Sequence, residues 1–463
     1  FLGVASATMS SSSSQRRRSR RIAAQGAAMS EHELTEAVRM AVENNADFFA
    51  EEEVKGSRQP TDTPEFTIGT LRKAIPKECF VRSARSRRLI VSTLSHSLTR
   101  PPHLKSILRQ ERSLVRSLGY LIVDLSMIAL LFLFSTKIDG TLAPAVSALL
   151  PSSLQSVSVV RAAMWVAYWF FQGAVATGVW VIAHECGHQA FSKYQAVNDG
   201  VGLVFHSLLL VPYYSWKFSH ARHHANTGSV AKDEVFVPTV KDGDALDDAL
   251  WSWSQFGPYR LVKLVGSLTL GWPAYLLFNV KSRPYEKGWV NHFDPWSPIF
   301  SKRQRLEVAV GDAALALVFY GLFAVGERMG YAWLARTYFV PYLIVNFWLV
   351  MITLLQHTHP DLPHYTDAEW DWLRGALATV DRNYGRLLNT LHHHIADTHV
   401  VHHLFSTMPH YHAEVATEAV KPILGSYYQK DERFIFRALW EDYSACRYVA
   451  EDVKGSGVLW PRA

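Results

Sequence analysis

Four stretches of the chain are apolar over roughly the 20 residues that a membrane-spanning helix requires. They cover residues 118–135, 162–183, 306–325 and 338–355, and the first qualifies despite Asp124. A polar loop containing Pro and Ser joins the first two, so the four group into two helical hairpins. Two further apolar stretches, starting at Val201 and Leu261, are short or interrupted by Gly, Pro or Lys. Both are expected on the membrane surface or as re-entrant segments. The pattern predicts an all-α integral membrane protein with four transmembrane helices and a helical cap built from the polar segments.

Composition supports this reading. Hydrophobic residues make up 49% of the 463 and charged residues only 19%, a balance too apolar for an average soluble enzyme. The net charge is +6, but arginines cluster beside apolar segments, which suits contact with an anionic membrane face better than with nucleic acid. Cys79, Cys186 and Cys446 lie far apart without zinc-ligand spacing, so the cap is expected to face a reducing cytosol. Residues 1–60 read as a disordered or targeting tail and residues 61–463 as the membrane domain. The chain opens on Phe1, with Met9 and Met29 as candidate starts. Its acid-free, Ser- and Arg-rich beginning is also the composition of an organelle transit peptide. The acidic run over residues 31–53 is expected to form a surface helix.

The chemistry concentrates in three histidine clusters: HECGH with His184 and His188, HARHH with His220, His223 and His224, and HVVHH with His399, His402 and His403. On a helix, residues four apart lie about 6 Å apart along the axis on one face, so both histidines of HECGH reach one metal ion. The i, i+3, i+4 spacing of the other two is expected to point all three imidazoles to one side. Read literally, His-Glu-x-x-His is a zinc protease motif with Glu185 as general base. Stoichiometry argues against it: such a protease needs two histidines and one further ligand, whereas eight imidazoles suit two ions with open positions. Soluble di-iron proteins use repeated Glu-x-x-His pairs, which this chain lacks. Among metals that imidazole binds, iron activates dioxygen and zinc has no redox chemistry. The clusters sit just outside the apolar segments, unlike the intramembrane histidines of a metal transporter. They must also share one membrane face, which restricts the number of crossings between them.

At these residues the chain resembles the membrane-bound fatty acid desaturases, and within them the microsomal delta-12 (omega-6) oleate desaturase branch. The likeness extends through AHECGHQAFSKYQ, HSLLLVPYYSWKFSHARHHANTGS, DEVFVP, LTLGWPAYLLFNV, LLQHTHPDLPHY, EWDWLRGALATVDRNYG and DTHVVHHLFSTMPHY, and covers approximately Pro64 to the C-terminus. It implies a cytosolic cap over four spanning helices, a di-iron site, and a fatty acyl chain in a tunnel beneath it. The implied reaction is oxygen-dependent insertion of a cis double bond at the delta-12 position of oleoyl chains, giving linoleoyl lipid. Omega-3 desaturation, hydroxylation, conjugation and acetylenic-bond formation on the same fold stay open. Electrons would come from cytochrome b5 and its NADH-dependent reductase as separate proteins, since no His-Pro-Gly-Gly haem motif occurs here. The implied location is the endoplasmic reticulum membrane with the site facing the cytosol; a plastid membrane is the alternative. Whether phospholipid or coenzyme A carries the acyl chain is left open.

The resemblance adds a ninth ligand, His357 in LLQHTHP, ahead of His359. It recasts Glu185, Asp233 and Asp397 as acceptors that fix the tautomer and orientation of ligating imidazoles, although a solvent salt bridge fits Asp233 equally well. Gln189 replaces a histidine found in many relatives, and that histidine is not a ligand. His394 is either a similar outer acceptor or donor, or a bystander. His206, His292, His410 and His412 read as core or solvent groups. Tyr213, Tyr214 and Trp216 either line the tunnel or anchor at the interface.

Overall fold

The computed structural model describes residues 58–76, 79, 112–241, 257–286 and 288–463. The tail and the acidic helix expected before Arg58 lie outside these residues. Among the described residues the chain is helical, with only short strands in the cap.

A short helix α1 (Ile68–Ala74) precedes α2 (Leu114–Lys137), whose N-cap Ser113 accepts the Arg116 N–H. A π-turn at Ile138–Leu142 passes α2 into α3 (Ala143–Leu149). Helix α4 (Val157–Gly187) then runs for 31 residues, about 46 Å at 1.5 Å per residue. That outreaches a hydrocarbon core about 30 Å thick, so its C-terminal end carries His184 beyond the lipid. Helices α5 (Gln195–Leu208) and α6 (Tyr213–Asn226) follow, bent at 108° to one another. Next come α7 (Gly257–Phe278), α8 (Arg305–Met329), α9 (Tyr331–Leu334) and α10 (Val340–His357).

Five segments are long and apolar enough to cross a membrane: Leu114–Leu149, Val157–Gly187, Gly257–Phe278, Arg305–Met329 and Tyr331–His357. Four match the expected spans, and the fifth is the stretch around Leu261 that the sequence pattern assigns to the surface. Its Gly266, Gly271 and Pro273 do not break the helix. The sharply bent α5–α6 pair has the form of either a broken span or a re-entrant loop.

Burial separates the helices. In α4, 72% of the apolar window is inside the protein, against 17% in α2 and in α8, so α4 is the central post and the other two present apolar side chains outward. Ile122, Leu130, Leu317 and Phe323 are among those exposed. Glycines let helices approach the post closely: a Cβ on Gly173 would lie 2.4 Å from Ile344 on α10. Asp124, buried in α2, is bonded by His393 Nε2 at 2.7 Å, which accounts for an acid inside an apolar span.

The cap is built from the chain after α10 together with residues 229–240, which bridge to it where Ser229 pairs with Tyr365 and Val240 with Val449. It holds β1 (His364–Tyr365), α11 (Trp372–Leu377), β2 (Asp381–Arg382), α12 (Arg386–Leu391), α13 (His399–Leu404), α14 (Ala413–Leu424), β3 (Lys430–Asp431), α15 (Ile435–Ala445), β4 (Tyr448–Glu451) and β5 (Val458–Arg462). The strands form an antiparallel β1-β5-β4 sheet and a parallel β2-β3 pair. Cap segments hold both ends of α7. At its start Arg260 stacks over Trp440 of α15, 4.8 Å from the ring centre. Just past its end Arg283 donates its N–H to the Asp233 carbonyl, and Val237 donates its N–H to the Lys281 carbonyl.

Candidate metal centre

Nine histidines from four helices converge where α4 and α10 end. One group comprises His184, His188, His220, His224 and His402. Its Nε2 atoms are 2.9 Å apart for His184 and His220, 3.3 Å for His184 and His188, and 3.2 Å for His220 and His224. The other contains His223, His357 and His403, with His399 joined to it. There the Nε2 separations are 3.3 Å for His223–His357, 3.2 Å for His357–His399 and 3.2 Å for His399–His403.

The nine therefore divide five and four, and the division follows helix geometry. In HARHH, His220 and His224 face the first group and His223 the second; in HVVHH, His399 and His403 face the second and His402 the first. At about 100° per residue, positions i and i+4 nearly superpose while i+3 lies on their other flank. Each motif thus gives a pair to one centre and a single ring to the other. The expectation that all three rings of a box point to one side is refined in this respect.

Hydrogen bonds fix the tautomers of His399 and His403 in the second group. His399 Nδ1 donates to the Ile395 carbonyl at 3.1 Å. The Thr227 hydroxyl donates to the His223 carbonyl at 2.7 Å, so its oxygen accepts from His403 Nδ1 at 3.2 Å. Burial, reinforced by neighbouring histidines, pushes His399 down to about 3 and His403 well below the usual imidazole range, so both rings are neutral. Their Nε2 atoms then face each other 3.2 Å apart with no proton between them. Two bare lone pairs at that distance repel unless a cation lies between. At a metal–nitrogen bond of about 2.1 Å, adjacent ligand nitrogens sit roughly 3.0–3.4 Å apart, in the octahedral-to-tetrahedral range, and the separations here match. Burial likewise holds His188 at about 3. The donor set fits metal ions.

The three carboxylates fare differently. Asp233 accepts from His223 Nδ1 at 2.6 Å and is itself held by the N–H groups of Gly228 and Val235. Burial pushes its carboxyl up and His223 pulls it back down. Glu185 accepts the His410 N–H at 3.0 Å, and its nearer approach to a ring, His184 Nδ1, is 3.9 Å. Asp397 lies on His394 at 3.0 Å and Asn389 at 2.9 Å, away from the nine rings, because His394 turns back towards it with φ 60°. That contact raises the His394 pKa.

Two positioning residues escaped sequence reasoning. Asp381 accepts the Val400 N–H at 2.8 Å and the Tyr428 hydroxyl at 2.7 Å, which tethers the first turn of α13 and so its histidines. Beside it, buried Arg382 bonds Asp431 and Asp442. His359 joins this ion-pair cluster, 3.8 Å from Asp431, and not the nine rings. His206 is buried on the Trp180 carbonyl, and Gln189 bonds Asp199 and the Cys186 carbonyl. Trp216 stacks on His220, with ring centres 4.5 Å apart, whereas the Tyr213 hydroxyl donates to Asp199.

A cavity of about 530 Å³ opens from this cluster, with His184, His220, His223, His357 and His399 in its wall. Its remaining wall is mainly apolar and aromatic, including Trp180, Trp216, Trp272 and Leu349. His364, not singled out from sequence, also lines it, and burial holds that ring at about 4.

The fatty acid desaturase family model matches residues 163–433, which contain all nine histidines. The chain is 48% identical over 410 residues to a delta(12)-oleate desaturase of Trichosanthes kirilowii, covering 88% of this chain and 97% of the relative. It is 48% identical over 411 residues to an endoplasmic reticulum omega-6 fatty acid desaturase of Brassica juncea, covering 87% and 93%. An oleoyl-12-hydroxylase of Ricinus communis is 45% identical over 411 residues, covering 88% and 92%. Sequence, fold and histidine geometry thus agree that the chain belongs to the fatty acid desaturase family, in the branch that holds these delta-12 relatives.

Proposed function

We propose that the protein is an oxygen-dependent acyl-lipid desaturase that inserts a cis double bond at the delta-12 position of oleoyl chains, giving linoleoyl lipid. The nine histidines would hold two iron ions, five rings at one and four at the other. Bound iron supplies the redox chemistry that activates dioxygen and removes hydrogen from an unactivated methylene. Cytochrome b5, reduced by its NADH-dependent reductase, is the electron donor. The observation that carries this reading is the pair of bare, neutral Nε2 atoms of His399 and His403, of which His399 lines the apolar cavity.

The chain's own part is positional. Asp233 keeps the proton of His223 on Nδ1, leaving Nε2 to bind metal. Trp180, Trp216 and Leu349 form a dry wall that presents two adjacent carbons of the acyl chain to the centre and excludes water.

We read four crossings: Leu114–Leu149, Val157–Gly187, Arg305–Met329 and Tyr331–His357. Helices α4 and α10 both end at the histidines, and α6 carries three of them, so the chain between α6 and the end of α10 crosses an even number of times. Helix α7, with both ends on cap segments, lies along the cap side of the membrane. The cap faces the cytosol from the endoplasmic reticulum membrane.

Expression in a host that lacks polyunsaturated lipids, with gas chromatography of its acyl chains, tests the reading. Linoleate is expected; its absence refutes delta-12 desaturation. A hydroxylated product would establish the second reading, which the similarity to the Ricinus hydroxylase favours. Alanine at His184, His223 or His402 is expected to abolish the dienoic product, and dienoic lipid from any of them would refute that residue's role.

A further inference from the structure

The end of α4 farthest from the histidines carries a second pocket, about 310 Å³ in volume, that shares no lining residue with the acyl cavity. Ser158, Arg161, Ala162, Trp165, Val166 and Trp169 form one stripe of α4. Arg336 closes the pocket from the turn Ala335–Phe339 that leads into α10. Helix length sets the depth of this site. Arg161 precedes His184 by 23 residues, about 34 Å of rise, and Arg336 precedes His357 by 21 residues, about 31 Å. Both match a hydrocarbon core about 30 Å thick, so with the histidines at one boundary both guanidiniums stand at the other. Trp165 and Trp169 follow one and two turns inward, where interfacial aromatic rings sit.

The charges in the pocket do not balance. Two guanidiniums share one carboxylate, Asp139 of the π-turn after α2. Arg336 Nη1 donates to Asp139 Oδ2 at 3.1 Å, while Arg161 Nε stands 3.4 Å from Oδ1 without a hydrogen bond. Trp165 Nε1 also donates to Oδ1, at 3.0 Å. Each guanidinium carries five N–H donors. Among the described residues no other acceptor bonds either side chain, and the two are 42% and 43% exposed, within reach of a ligand. Arg336 sits over the Trp165 ring, 4.7 Å from its centre, which leaves its donors on the edge of the guanidinium plane. An excess cation with free N–H forks, beside an apolar wall at a membrane boundary, suits a phosphate that carries hydrocarbon.

We propose that Arg161 and Arg336 bind the phosphate of an anionic phospholipid in the leaflet opposite the histidines, with its acyl chains against Val166 and Trp169. This inference rests on the reading of α4 and α10 as crossings. The lipid is a resident of the pocket and not the substrate. It bridges α4 to the start of α10, which Trp169 Nε1 already joins by donating to the Arg336 carbonyl at 2.9 Å.

The test uses the full-length protein in neutral detergent micelles, titrated with phosphatidylinositol, dioleoylglycerol or inorganic phosphate, with equilibrium binding and melting temperature as readouts. Phosphatidylinositol is expected to bind about tenfold more tightly than dioleoylglycerol and to raise the melting temperature. In Arg161→Gln that preference is expected to shrink by about tenfold, as loss of charge-assisted contacts implies. Arg161→Gln keeps the bonds of Asp139 to Arg336 and Trp165, so the variant should fold, and an unchanged melting temperature without lipid verifies it. Asp139→Asn raises the positive charge of the pocket and should keep or strengthen the preference; should it fail to fold, Arg161→Gln decides alone. Lys454→Gln, an exposed lysine outside the pocket, is the charge control. No preference in the wild type, an undiminished preference in Arg161→Gln, or a folded Asp139→Asn that loses it would overturn the proposal. An equal effect from inorganic phosphate would also overturn it, leaving a free-anion site. Thiol labelling of Ser153→Cys and Lys454→Cys in sealed vesicles tests the crossings separately: reaction from opposite sides is expected, and reaction from the same side would overturn the crossings whatever the lipid result. The desaturase reading stands or falls on the product analysis.

Discussion

Replacing Asp233 by Asn tests how the second group of histidines is prepared for metal. The carboxylate lies 2.6 Å from His223 Nδ1, is 5% exposed, and accepts two backbone N–H groups as well. Asn keeps the shape and one carbonyl oxygen, but it loses the charge and turns one oxygen into a donor that opposes an N–H. A charge-assisted hydrogen bond of this kind contributes about 1.5–3 kcal/mol. Losing it frees the His223 ring to rotate or to move its proton to Nε2, so iron affinity at that centre should fall about 10- to 100-fold. The assay is an iron-binding isotherm on purified protein, with elemental analysis at each free-iron concentration and a melting curve as the folding control. Half of the iron should be lost at concentrations where the wild type stays loaded. Asp397→Asn provides the contrast: Asp397 touches His394 and Asn389, not the nine rings, so its isotherm should stay within about twofold of wild type. Equal isotherms for Asp233→Asn and wild type would refute the assigned role of the carboxylate.

Burial pushes Asp381 up to about 7, against roughly 3.9 in an unfolded chain. A raised carboxyl favours the folded state while protonated, so its stabilisation is present below about pH 4 and is lost as pH rises towards 7. Asp381→Asn removes that dependence and should raise the melting temperature relative to wild type at pH 8 more than at pH 5, as melting curves at the two pH values would register. Asp124→Ala leaves His393 buried without its 2.7 Å partner and should cost about 1–3 kcal/mol, measured as a lower denaturation midpoint; a neutral result would mean the pair contributes nothing. Gly178→Leu drives a side chain against the Leu391 carbonyl, where even a Cβ would stand 2.4 Å away, and should cost about 1–3 kcal/mol by the same measurement.

The histidine boxes were legible because ligand chemistry demands both a residue type and a spacing, and both survive in linear sequence. The division of HARHH and HVVHH between two groups was not, since it depends on how α6 and α13 are rolled towards each other. Apolar length marked the spans, and the same length made α7 ambiguous: its 22 residues would cross a bilayer, while contacts distant in sequence, among them those of Arg260 and Arg283 near its two ends, link it to cap segments. Partners distant in sequence stayed hidden. Asp124 meets His393 across 269 residues, and Arg382 reaches Asp431 and Asp442 across 49 and 60. Proximity misled for Asp397, two residues from His399: local backbone turns its carboxylate to His394 instead.

The metal content of the purified protein bears most directly on the centre itself. Elemental analysis after anaerobic loading should give two irons per chain, falling to one or none when His184 and His403 are both replaced by alanine. A single zinc per chain, or full iron retention in that double variant, would contradict the account.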